Sequence, residues 1–125
     1  MAKRVRVPSD IVIIIISLLG EYEIFPSNKG KLYKIFYELS KRFTALFKDF
    51  IFDESQFYPK CETISYAIDR LATNGLVEWI LDGDYIITPS LVERGKKLLE
   101  LFSRKEKKAI QKAAKRFKKL MDRRF

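Results

Sequence analysis

Nine residues near the start of the chain, IVIIIISLL from Ile11 to Leu19, include a single polar side chain, Ser17. A segment with no polar face has to be covered from every side. It is too short to cross a membrane, which takes about 20 apolar residues. Lys3, Arg4 and Arg6 precede it, as basic residues precede the apolar part of a signal peptide. However, Pro8-Ser9-Asp10 intervenes, and GEYE follows where a small-residue cleavage site would stand. The run therefore reads as a core element. Ser9 or Asp10 is placed to cap a helix that ends at Gly20. Its five isoleucines favour a strand by propensity, so helix and strand both remain open, with the helix preferred.

A chain of 125 residues is the size of one domain and buries about two-thirds of its unfolded surface. With 47% apolar residues, it has the material for a core. The net charge of +9 is unevenly placed. The last 22 residues, RKEKKAIQKAAKRFKKLMDRRF, hold 11 of the 25 basic residues and two of the 16 acidic ones. Residues 1–103 keep 14 of each and are neutral. A neutral body with a basic end implies a polyanion or an acidic partner met chiefly by that end. The lone Cys61 rules out an intrachain disulfide and fits a reducing, cytoplasmic setting. With no histidine, His-based catalysis and His-containing zinc sites are excluded. No paired catalytic carboxylates and no phosphate-cradling glycine loop stand out, so no enzyme, metal or cofactor is expected. Two Asn and two Gln beside many Ile, Lys and Glu lean toward a thermophile.

Leu32, Ile35, Phe36, Leu39 and Phe43 recur at helical spacing after the turn signal FPSNKGK. This predicts a second helix with Lys31, Lys34, Lys41 and Arg42 on its other faces. An extended connector follows, interrupted by Pro59. Ile64, Ala67, Ile68 and Leu71 then predict a third helix, ended by Asn74-Gly75. LVEWILDGDYIIT reads as a β-hairpin turning on Asp82-Gly83. Ser90 and Glu93 have capping-box spacing at the start of a fourth helix, whose Leu98, Leu99 and Phe102 face inward. In the basic end, Ile110, Ala113, Ala114, Phe117 and Met121 predict an amphipathic helix, continuous with the fourth or separate from it. Phe36, Phe43, Trp79 and Tyr85 are expected in the core.

The order helix, helix, helix, hairpin, helix resembles a winged-helix (winged helix-turn-helix) domain. The likeness runs from Glu62 to Leu99, through ISYAIDRLATNGLVEW, the hairpin, YIIT from Tyr85 to Thr88, and RGKKLL with Gly95. KLYKIFYEL and FYPKCETI are similar to segments of a subset of that superfamily, although Tyr58-Pro59 lacks its glycine. The expected fold is mainly α with a small β-hairpin (α+β), a winged helix over residues 1–103 with an added basic helix over 104–125. The resemblance implies DNA binding most often, and RNA or protein binding in other members. It casts the third helix as a recognition helix, with Thr63, Tyr66 and Arg70 able to read bases and Thr73 beside them. It also marks LDGD as a departure, since carboxylates stand where many wings carry Arg or Lys.

These residues together predict a DNA-binding protein, with DNA favoured over RNA: a cytoplasmic, homodimeric transcription regulator with no membrane span. Arg104, Lys105, Lys108, Lys112, Lys115, Arg116, Lys119 and Arg123 would hold the phosphate backbone, which gives affinity without base specificity. Lys3, Arg4 and Arg6 would form a minor-groove arm. The competing expectation is an adaptor of the same fold whose basic helix pairs with a second subunit or an acidic partner. Docking on an anionic membrane and a solvated end also fit the amphipathic pattern.

Overall fold

Five helices and a small antiparallel sheet make up the chain in a computed structural model that describes residues 7–55, 59–80 and 83–122. The apolar run is a helix, α1 (Pro8–Ser17), buried at every residue from Ser9 to Ser17. A helix bonds its backbone internally and can be wrapped on all sides, so burial overrides the strand propensity of its isoleucines. The Ser17 hydroxyl, deep in the protein, donates to the Ile14 carbonyl at 2.7 Å. The cap is Val7, not Ser9 or Asp10. Proline suits the first helical position, where its missing N–H would be unpaired anyway, so Pro8 moves the helix start ahead of the polar pair.

A short strand, β1 (Ile24–Pro26), leads into α2 (Lys29–Arg42), where Asn28 caps by accepting from the Lys31 N–H at 3.0 Å. Leu32, Ile35, Phe36 and Leu39 are buried as their spacing predicts. The helix breaks at Phe43, and turns beyond it bury Leu46, Phe47 and Phe50 beside Phe36. Asp53 and Lys60 exchange backbone hydrogen bonds at 2.7 and 3.0 Å and close the connector. In α3 (Glu62–Thr73), Ile64, Ala67, Ile68 and Leu71 face the core, and Gly75 leaves the helix at φ 67°.

The hairpin strands are β2 (Val77–Trp79) and β3 (Asp84–Ile87). The sheet has a third strand that the sequence did not announce, because β1 pairs with β3 to give the order β1-β3-β2. β1 has three residues, too few to show alternation, and its proline is tolerated at a sheet edge. The Ile80 N–H donates to the Asp84 carbonyl across the hairpin end, with Gly83 at φ 80°. Glycine thus stands in the left-handed position at the hairpin end, while Asp82, its expected turn partner, lies outside the described residues.

Thr88 caps α4 (Pro89–Leu99), accepting from the Leu91 N–H at 3.3 Å and donating to the Leu76 carbonyl at 2.7 Å. Ser90 and Glu93 form no capping box, again because proline takes the first helical position. The box lies instead at the next helix, α5 (Arg104–Asp122). There the Glu106 N–H donates to Ser103 Oγ at 3.2 Å and the Ser103 N–H to Glu106 Oε1 at 3.3 Å. The basic end is therefore a separate helix.

α3, α4 and α5 all pack on α1, and α5 also packs on α2. Ile110, Ala113, Ala114, Phe117 and Leu120 bring α5 into the same apolar cluster as the other helices, with the Phe117 ring 5.2 Å from that of Phe36. Leu120 takes the buried place expected of Met121, which is half-buried. On the α4 side the approach is closer still. A Cβ on Gly95 would lie 1.8 Å from Ser17 Oγ and 2.4 Å from Ser17 Cβ.

Gly95→Ala is therefore expected to force α1 and α4 apart. Overpacking of this kind costs about 1–3 kcal/mol, and thermal denaturation followed by circular dichroism should show a midpoint lower by several degrees. An unchanged midpoint would mean that the two helices do not cross at this glycine.

Candidate nucleic-acid interface

Two needs shape α5. Its apolar stripe must cover α1 and α2, and its remaining residues must face water. Wound at 3.6 residues per turn, the five buried residues occupy one side. The cations from Arg104 to Lys119 spread over about the opposite half of the circumference. Arg104, Lys105, Lys108, Lys112, Lys115, Lys118 and Lys119 are exposed, and Lys107 and Arg116 are half-buried. Lys107 pairs with Glu100 at 3.2 Å. None of the other eight is in an ion pair with a described carboxylate. Glu106, on the same helix, is engaged in the helix cap. The result is a rigidly mounted row of cations with little internal neutralisation.

The row continues onto neighbouring elements through residues the sequence left unassigned. Lys41 and Arg42, at the end of α2, line a cleft of about 230 Å³ with Glu38 and Arg116. Lys48 and Lys105 line another of about 270 Å³ with Ala45, Leu46, Glu106 and Ala109. The basic side chains of α2 are visible in the sequence. Their alignment with those of α5 depends on the packing of two helices far apart in the chain.

The outward face of α3 is different. Tyr66 is 59% exposed, Thr73 is exposed and Thr63 is half-buried. Asp69 is held by Lys29 at 2.8 Å, and the same ammonium donates to Ser65 Oγ at 3.0 Å. Arg70 turns toward α1. Its Nη1 donates to Ser9 Oγ at 3.1 Å and lies 3.8 Å from Asp10 Oδ1, with the guanidinium 5.6 Å from the centre of the Tyr66 ring. Asp10 is 7% exposed, so Arg70 serves a buried carboxylate. The one cation of α3 is thus committed within the chain.

The sheet side is acidic and apolar. Glu21, Glu23 and Glu78 are exposed beside Tyr22, Ile24 and Trp79. Trp79, expected in the core, is 62% exposed, because its strand is an edge of the sheet. Tyr85 and Phe43 are half-buried and Phe36 is fully buried. Cys61 is 1% exposed, which shields its thiol from oxidants. Lys3, Arg4, Arg6, Asp82 and Arg123 lie outside the described residues. No described helix is long and apolar enough to cross a membrane. Compared with protein-family models, curated proteins and solved structures, the chain matches none.

Arg70→Gln should act on stability, not on polyanion binding. Loss of the contacts with Ser9 and Asp10 is expected to cost about 1 kcal/mol, below the range for buried hydrogen bonds to charged groups because Arg70 is partly exposed. Thermal denaturation and a duplex-binding assay on the same variant check this. Unchanged melting with weakened binding would instead place Arg70 at the interface.

Proposed function

We propose that the protein binds nucleic acid through the outward half of α5. The single observation that carries this reading is the array of eight cations on a core-anchored helix, none paired with a described carboxylate. A polyanion neutralises such an array and releases its own condensed counterions, which is the main source of backbone affinity. DNA is favoured over RNA. The element order, with α3 directly before the hairpin, supports the winged-helix resemblance and through it a role in transcription regulation.

Base reading in this proposal is weak. Thr63, Tyr66 and Thr73 remain outward on α3, while Arg70 and Asp69 are engaged internally. The acidic sheet side would be repelled by phosphates, so it points away from the nucleic acid. The adaptor reading draws support from the sheet, where Tyr22 and Ile24 near one edge and Trp79 on the other are exposed. A homodimer would also use a surface of that kind, because the apolar stripe of α5 is consumed in the chain's own core.

Removing α5 would take Ile110 and Phe117 out of that core, so charge-neutralising substitutions give the clean test. Fluorescence anisotropy with a labelled duplex should show log K falling with log salt at a slope near −4, at about −0.9 per phosphate contact and four to five contacts. Lys108→Gln, Lys112→Gln and Lys115→Gln together should reduce the slope by about 2–3 without lowering the melting temperature. Absence of salt-dependent binding, or indifference to the triple substitution, would overturn the proposal.

A further inference from the structure

The cleft between the end of α2 and α5 differs from the lysine row around it. Arg42 and Arg116 line it from opposite helices, and Lys41 adds a third cation. Glu38 is the lone carboxylate among the lining residues and already lies 4.0 Å from Lys41. The Lys41 ammonium also sits 4.3 Å from the centre of the Tyr37 ring. Neither arginine is in an ion pair with a described carboxylate. The negative end of the α2 dipole favours cations at Lys41 and Arg42. It gives no reason for Arg116 to line the same cleft from another helix. Like charges drawn to one concavity repel unless an anion joins them.

The shape and the donors narrow the ligand. Guanidinium groups present planar forks that match the oxygens of a phosphate, whereas ammonium groups act as point charges. The described part of α5 has two arginines, and Arg116 is the one in the cleft. Arg116 also lies at the edge of the cationic half of α5 that faces α2. The second cleft, at Lys48 and Lys105, is eleven residues away along α5, or about 16 Å at 1.5 Å per residue. A backbone laid along the α2–α5 seam would pass both.

We propose that the Arg42–Arg116 cleft seats a phosphodiester group of the bound nucleic acid and fixes its backbone on the α2–α5 seam. This rests on the nucleic-acid reading and adds a geometric requirement to it: forks at two positions, not charge alone.

The test compares duplex affinity at fixed salt for the full chain and three double variants. Arg42→Gln with Arg116→Gln removes two charges from the cleft. Lys108→Gln with Lys112→Gln removes two from the outward row. Arg42→Lys with Arg116→Lys keeps the charge and removes the forks. Both glutamine pairs are expected to lose affinity, the second by its two phosphate contacts and the first by about tenfold more, as for charge-assisted hydrogen bonds. The third is expected to bind several-fold more weakly than the parent. None of the three should melt below the parent. If the glutamine pairs are equivalent and the Arg→Lys pair binds normally, the cleft proposal fails and the general polyanion reading stands. If the parent chain binds no duplex, both fail. Stabilisation of the parent by inorganic phosphate, lost in the Arg→Gln pair while duplex affinity is kept, would assign the cleft to a free anion and also overturn the proposal.

Discussion

A helix with no solvent-facing side organises this protein. α1 exposes none of its residues from Ser9 to Ser17, so at least three other elements must be brought against it. α3, α4 and α5 do this, and each adapts its sequence to the task. α4 supplies Gly95 where the approach to Ser17 leaves no room for a Cβ. α5 supplies Ala113 and Ala114 among its larger apolar residues. α3 sends Arg70 to the buried start of α1, where Ser9 and Asp10 would otherwise lack that donor. The basic helix is thus part of the wrapping, and what it shows to water is the half left over.

That division explains where the charge goes. Lysines are long enough to lie along apolar surface while their ammonium groups stay hydrated, so they suit the rim of a helix whose other side is core. Elsewhere, the sheet carries exposed carboxylates and the exposed rings of Tyr22 and Trp79. A polyanion would be drawn toward the cations of α5 before contact. The position of Arg70 reinforces the same orientation. Because α3 spends its one cation on the chain's own fold, it has little left with which to grip a phosphate.

Much of this was legible in residue spacing. The buried stripes of α2, α3 and α5 follow from apolar residues three and four apart, and the hairpin follows from two β-rich runs around a glycine. What the spacing missed has physical causes. Pro8 and Pro89 each claimed the first helical position, which moved two helix starts ahead of the polar residues that looked like caps. The working box at Ser103 and Glu106 was hidden inside a charge run. β1 was too short to alternate, so the third strand of the sheet was not apparent. The cations of α5 were plain in the sequence. The Arg42–Arg116 cleft was not, because it is made by two helices meeting, and no local pattern encodes that contact.

The helical form of α5 also depends on that contact. Like charges three and four residues apart disfavour an isolated helix, and along its exposed half α5 has few acids to offset them. Its helicity must come mainly from burying Ile110, Phe117 and Leu120 on α1 and α2. The spacing of the cations is consequently fixed by the core, not by the segment itself. A cationic tail that ordered only on binding would give up part of its affinity to that ordering. Here the ordering is met during folding, so the charges stand in place before any anion arrives. The cost falls on stability, since the folded state concentrates mutual repulsion along one side. An anion that relieves this repulsion binds the folded chain in preference to the unfolded one, and so couples occupancy of the basic surface to the integrity of the core beneath it.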